Sequence, residues 1–247
     1  AQLNPAEREE VQMTMASRYI LAGMLAASLP ATASAQQLNG LYLGGGLGFD
    51  IPFRQTVKGT GLAEESLKID WSPGFAGLVS LGYGFADGLR AEIEASYRSS
   101  YVNGISGTDV ANFSGGSLRN YGLMANGFYD FKLGVDWLSP YLGAGIGYQW
   151  TNLRNYRLGP ADGRAFGMAA SGTDGSFAYQ AIAGAAFPVR AVPGLSLTAE
   201  YRFLGTAGDQ SFDGYKINPR GRRTDAPLNL DSQQHSTILF GVRFAFG

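Results

Sequence analysis

Glu92 and Glu94 stand two residues apart in GLRAEIEASYR, and Glu200 and Arg202 repeat that spacing in LSLTAEYRF. Two carboxylates on one face are the raw material of general acid and base catalysis, provided a pocket surrounds them. His235, the only histidine, precedes Ser236, and these are the residue types of a general base and a nucleophile. LYLGGGLGFD (41–50) sets glycines at 44, 46 and 48, and YLGAGIGYQW (141–150) sets them at 143, 145 and 147, an outline like that of a phosphate-cradling loop. NPRGRR brings Arg220, Arg222 and Arg223 together, and guanidinium groups match phosphate geometry. What any of these groups can do depends on the element that presents it.

Composition narrows that element. The 247 residues carry 19 basic and 20 acidic side chains, so no bulk charge draws the chain to nucleic acid, and with no cysteine there is no disulfide frame and no thiolate metal site. Asp109, Asp162 and Asp174 are too scattered for a calcium loop, and no residue cluster calls for a cofactor. Glycine is abundant, at 36 residues, beside 13 Tyr and 15 Phe, which points away from helices.

The recurring pattern has period two. Leu89, Ala91, Ile93, Ala95 and Tyr97 oppose Arg90, Glu92, Glu94, Ser96 and Arg98; Leu195, Leu197, Ala199, Tyr201 and Phe203 oppose Ser196, Thr198, Glu200 and Arg202. In the last segment Ile238, Phe240, Val242, Phe244 and Phe246 oppose Thr237, Leu239, Gly241, Arg243 and Ala245. Such alternation reads as strand. Eight segments carry it, near 40–52, 68–86, 88–102, 117–132, 139–153, 175–188, 194–205 and 233–246, many long enough for the roughly 9–11 residues that cross a bilayer at a tilt. Three connections are short (86–88, LGVDWLS before Pro140, and VRAVPG ending at Gly194), and they alternate with long polar ones near 53–67, 103–116, 154–174 and 206–232. Strict alternation of short and long turns fits an all-β, eight-stranded, antiparallel up-and-down transmembrane β-barrel.

A soluble eight-stranded barrel is the competing closed form, and the side of the apolar face decides between them. Tyr97, Tyr201, Phe203, Phe240, Phe244 and Phe246 would overfill so narrow an interior, so the aromatics are expected outside against lipid and the charges inside. The N-terminal region agrees with export. From Met13, Arg18 precedes the apolar run Tyr19–Leu29, then Pro30 and the small-residue site Ala33-Ser34-Ala35, which reads as a secretory signal peptide over 13–35 cleaved after Ala35. Residues 1–12, with Glu7, Arg8, Glu9 and Glu10, suit no signal peptide and read as an upstream artefact, leaving 36–247 as the barrel.

The runs LMANGFYDF (123–131), PYLGAGIGY (140–148), AEYRF (199–203) and the terminal GVRFAF (241–246), in that order, resemble the small outer-membrane β-barrels of the OmpA-like and opacity-protein type. The resemblance covers essentially all of the mature chain. It implies the bacterial outer membrane with both termini periplasmic, and partners among outer-membrane lipid, lipopolysaccharide and the barrel assembly machinery. Gly241, Phe244 and Phe246 look like the C-terminal signal that machinery reads.

On such a barrel the candidate sites take definite meanings. Arg90, Glu92, Glu94, Arg98, Glu200, Arg202 and Arg243 share the interior, where pairing as a structural plug is favoured over a gated path for protons or small ions, because side chains fill so narrow a lumen. Gly44, Gly46 and Gly48 would face Gly143, Gly145 and Gly147 from the opposite wall and make room for those arginines and glutamates, while Leu43, Leu47, Phe49, Leu142, Ile146 and Tyr148 face lipid. His235 and Ser236 point to opposite faces of a strand, so a base and nucleophile pair is disfavoured and the histidine reads as a solvated rim residue. Arg220, Arg222 and Arg223 are candidates for lipopolysaccharide phosphate. The expected role is structural and interactive, with loops available to extracellular ligands for adhesion or recognition; the alternatives are a narrow channel for small polar solutes and, less favoured, a lipid-modifying enzyme.

Overall fold

The computed structural model describes residues 38–53, 55–58, 67–85, 87–106, 113–159, 167–217 and 221–246. The signal-peptide reading over 13–35, with Ala33 and Ala35, the segment 1–12 and Arg220 fall outside them. Among the described residues thirteen strands follow in chain order: β1 (Gly40–Pro52), β2 (Gln55–Lys58), β3 (Leu67–Gly84), β4 (Leu89–Ser106), β5 (Phe113–Asp130), β6 (Ser139–Gly159), β7 (Gly167–Pro188), β8 (Leu195–Ala207), β9 (Gln210–Phe212), β10 (Gly214–Ile217), β11 (Arg223–Asp225), β12 (Leu228–Leu230) and β13 (Gln234–Ala245).

Eight long strands make the wall. β3 to β8 each pair with the next, β8 pairs with β13, and β1 pairs with both β13 and β3, so the sheet closes on itself and every wall pairing is antiparallel. Closure leaves no edge and lets the backbone satisfy its own hydrogen bonds without water, which is what a hydrocarbon surround requires. At one end the connections are tight. Gly88, with φ +94°, turns β3 into β4, helped by Asp87 accepting from the Leu89 amide, and Gly194, with φ +85°, leads β7 into β8. We call this the turn end and the opposite one the loop end.

Alternation then sorts the side chains. Phe49 (66% exposed), Val79 (64%), Ile93 (63%) and Phe240 (63%) all point outward, whereas Glu94, Arg202 and Arg98 are at most 2% exposed. An apolar outside and a charged inside invert the pattern of a protein surrounded by water and match a lipid-facing barrel.

The loop end is more ordered than a period-two reading expects. β4 runs to Ser106, β5 starts at Phe113, β6 reaches Gly159 and β7 starts at Gly167, so strands occupy much of what reads as polar loop. The expected strand ends near 117 and 153 coincide with bulges: the register shifts between Gly115 and Ser117 and between Leu153 and Tyr156, where Asn155 adopts φ +51°. A bulge inserts a residue and breaks the alternation, and that ends the sequence signal although the strand continues. The segment from β8 to β13 is built in as well. β12 joins β9 to β2, β10 pairs with β7 and β11, and Asp174 accepts from the Ser211 amide at 2.8 Å.

Candidate functional site in the barrel interior

Even-numbered residues of β1 and β4 and odd-numbered residues of β6 and β13 point inward. From the turn end, Arg90 Nε donates to both Asp130 oxygens at 3.1 and 2.9 Å, and its Nη1 donates to the Tyr42 hydroxyl at 3.0 Å. The same guanidinium lies 4.4 Å from the Phe128 ring centre and 4.9 Å from that of Tyr141, within cation–π range. Tyr42 passes the contact on by donating to Glu92 at 3.0 Å.

The middle tier is built on Glu94. Its Oε2 accepts from Asn126 at 2.8 Å and Gln180 at 3.3 Å and pairs with Arg202. Arg202 Nε donates to Glu200 at 2.7 Å, and Glu200 accepts from the Tyr141 hydroxyl at 2.6 Å. Around the wall β4 is followed by β5, β6, β7 and β8, so Glu94 on β4 and Arg202 on β8 come from opposite walls. Their ion pair crosses the full lumen. Between these two tiers lies a cavity of about 30 Å³, lined by Tyr42, Arg90, Glu92, Tyr141, Glu200, Arg202 and Arg243. That is room for a water molecule or two and no larger solute.

Towards the loop end a second network forms. Asp50 Oδ2 lies 2.8 Å from His235 Nδ1, Asp50 Oδ1 accepts from Thr237 at 2.8 Å, and Arg98 approaches that oxygen at 3.7 Å. His235 Nε2 lies 3.3 Å from Gln233 Oε1, and Gln233 donates to Gln210 at 2.6 Å. Above it Leu118, Leu153, Tyr156, Phe212, Leu228 and Leu230 are all buried and form an apolar lid.

All seven charged residues singled out from the alternation lie in this interior, six of them among the buried residues and Glu200 partly buried. Asp50, Asp130, Asn126, Gln180, Tyr42 and Tyr141 join them unannounced, although Asp50 shares its parity with Gly44, Gly46 and Gly48, and that signal was available. The three arginines of the two networks (90, 98 and 202), with Arg243 lying 5.7 Å from the Tyr141 ring centre, face five carboxylates (50, 92, 94, 130 and 200), a near balance that suits burial. His235 is the main correction. It is fully buried against Asp50 and is no solvated rim residue, because β13 starts at Gln234 and places it one pair inside the barrel mouth. Ser236 points the other way and hydrogen-bonds the Tyr201 hydroxyl at 2.8 Å, so base and nucleophile are apart.

The glycines face inward on opposite walls, but other side chains use the space. A Cβ on Gly44 would lie 2.4 Å from Ser80 Oγ, on Gly143 2.3 Å from the Phe128 ring, on Gly145 1.9 Å from Asn126 Oδ1 and on Gly147 2.7 Å from Met124 Sδ. Gly44 and Gly46 line the cavity beside Arg90, Glu92, Glu200, Arg202 and Arg243, whereas Gly48, Gly143, Gly145 and Gly147 have no arginine or glutamate among their nearest neighbours. Large aromatics do fit inside, contrary to the volume argument, because each lies on a cross-strand glycine: Tyr42 on Gly82, Phe128 on Gly143 and Tyr141 on Gly184. Phe244 and Phe246 face outward near the turn end, with Gly241 packed against the Gly45 carbonyl. Arg222 and Arg223 are exposed at the loop end, with Arg223 stacked 4.7 Å from the Tyr215 ring centre.

A closed sheet with lipid-type surfaces outside and paired charges inside is matched by the description of one family: the outer membrane protein beta-barrel domain, over residues 19–244. The chain belongs to this outer-membrane β-barrel family. The family places it in the bacterial outer membrane. A relative described as an outer membrane protein, from Gluconacetobacter diazotrophicus, is 31% identical over 239 residues, covering 92% of this chain and 63% of the relative, so the chain spans less than two thirds of that protein's length. Among solved structures the outer-membrane barrel is similar to the outer membrane protein OprG of Pseudomonas aeruginosa, with TM-score 0.56 and 16% identity over 86% of this chain and 100% of that one. It is also similar to neisserial surface protein A, with TM-score 0.50 and 16% identity over 85% of this chain and 100% of the other. At these identities the likeness is one of fold.

Proposed function

We propose that this protein is a closed outer-membrane barrel whose interior charges form a structural plug, and that it serves membrane integrity and surface interaction through its loop end. The observation that supports this most directly is the Glu94–Arg202 pair, which joins opposite walls while Asn126 and Gln180 also donate to Glu94 and Arg202 also donates to Glu200. An ion pair that is desolvated and held by further hydrogen bonds is expensive to separate, and a passing solute would have to separate it. Planar-bilayer recording tests the reading: a barrel that stays silent supports it, and regular single-channel steps overturn it.

In this reading the short turns and both termini face the periplasm and the loop end faces outward, after export through a signal peptide over 13–35. Gly241, Phe244 and Phe246 serve recognition by the barrel assembly machinery. Arg220, Arg222 and Arg223 contact lipopolysaccharide phosphates, and the loops are free to engage extracellular ligands.

A narrow path for protons or small ions is the second reading. The hydrogen-bonded run from Asp50 through His235 and Gln233 to Gln210, with Arg98 in ionic contact at its start, favours it. The apolar lid above that run favours closure. Lipid-modifying catalysis has less support, since His235 and Ser236 lie on opposite faces; an unchanged lipid A profile in cells carrying the wild-type protein disposes of it.

A further inference from the structure

Four neighbouring strands change from aromatic to polar at the same level on the barrel's outer face. Tyr97, Tyr121, Trp150 and Gly175 form one row of register partners on β4, β5, β6 and β7, with the Tyr148 ring laid over Gly175. The next outward row towards the loop end is Ser99, Arg119, Asn152 and Thr173, again partner to partner. Arg154, the partner of Ser117, is the next outward residue of β6, diagonal to Arg119. Residues diagonal on one sheet face lie roughly 7–8 Å apart, within joint reach of one anion.

The polar groups are already ordered for such a task. Arg154 Nε donates to Asn152 Oδ1 at 2.8 Å, and Asn152 Nδ2 donates to Thr173 Oγ1. Neither row contains a carboxylate, and neither Arg119 nor Arg154 has an ion-pair partner among the described residues. Two arginines without counter-ions just beyond an aromatic belt sit at the height of lipid headgroups.

We propose that Arg119 and Arg154, framed by Ser99, Asn152 and Thr173, bind a phosphate group of the outer-leaflet glycolipid, with Tyr121 and Trp150 against its acyl chains. The site rests on the orientation given above, loop end outward, and is separate from the loop arginines. Arginine forks suit phosphate oxygens, and the charge-assisted bonds gain strength at a poorly hydrated interface.

The test is binding of labelled lipopolysaccharide, intact or dephosphorylated, to the full chain inserted in phosphatidylcholine vesicles. Intact lipopolysaccharide should bind wild type at least about tenfold more tightly than the dephosphorylated form, the loss expected for one charge-assisted contact. R119Q/R154Q should lose most of that preference, and R119K/R154K should keep part of it. Equal binding of the two lipids by wild type, or an undiminished preference in R119Q/R154Q, overturns the site. Full competition by inorganic phosphate overturns the lipid as its source. If the double glutamine variant does not insert, R119Q and R154Q alone carry the comparison, each expected to weaken the preference. Insertion itself is read by protease protection: failure of wild type to insert overturns the membrane reading, whereas insertion without phosphate dependence overturns only this site.

Discussion

Glu94 and Arg202 rise from strands four places apart in a ring of eight, and their side chains meet in the middle of the barrel. Neither side chain is more than 2% exposed. The pair is therefore a strut between walls that share no backbone hydrogen bond.

Removing one end of that strut leaves the other charge buried without its cross-lumen partner, Arg202 keeping only Glu200 on its own strand, at a cost of about 3–5 kcal/mol. E94Q and R202M are each expected to lower stability by that order in urea unfolding followed by gel mobility. The double variant E94Q/R202M should recover a large part of the loss. A double variant that loses the sum of the two single effects contradicts the strut.

Asp50 and His235 hold the seam where the first and last strands close the barrel. Asp50 also accepts from Thr237, its register partner on β13. H235F and D50N are expected to destabilise the folded barrel by about 2–4 kcal/mol, as loss of a buried hydrogen-bonded partner does. Ser236→Ala, on the outer face of the same strand, should cost under about 1 kcal/mol. Folded barrels of equal heat resistance for H235F and wild type would remove the seam role.

Neighbouring inward glycines should respond differently. A Cβ on Gly48 would lie 1.8 Å from the Ile238 carbonyl oxygen, a backbone atom that cannot step aside, whereas on Gly46 its nearest neighbour is 3.5 Å away. Gly48→Ala is expected to reduce sharply the fraction that migrates as folded barrel on a semi-native gel, and Gly46→Ala to leave it nearly unchanged. Equal folding of the two variants contradicts the close packing of β1 against β13.

These contrasts show what one strand's alternation can and cannot convey. Period two gave inside and outside for Arg90, Glu92, Glu94, Arg98, Arg202 and Arg243, and it marked all eight wall strands. It could not show that Tyr42 lies on Gly82 or that Gly145 makes space for Asn126, since those are facts of register between strands. The loop-end extensions were hidden for a related reason. Bulges at Gly116 and Asn155 reset the alternation, and β9 to β12 are too short, at three or four residues, to show any period. His235 was legible by parity with Thr237 and Arg243, but a lone histidine near a strand end has no partner in sequence; its partner Asp50 is 185 residues away.

Assembly is expected to depend on the outward aromatics at the end of β13. Phe244 and Phe246 stack edge to face with ring centres 5.2 Å apart. F244A/F246A should slow the appearance of heat-modifiable barrel in pulse-chase experiments several-fold, with little change in the urea midpoint of what does fold. Assembly at the wild-type rate would remove the signal role from these residues.

The account stands most directly on whether the lumen is closed. Single-channel recording of the purified, folded barrel in planar bilayers measures this. With Glu94 and Arg202 bridged, the bilayer is expected to remain at baseline conductance across the voltage range it tolerates. Reproducible conductance steps that scale with the amount of folded protein would contradict the plug.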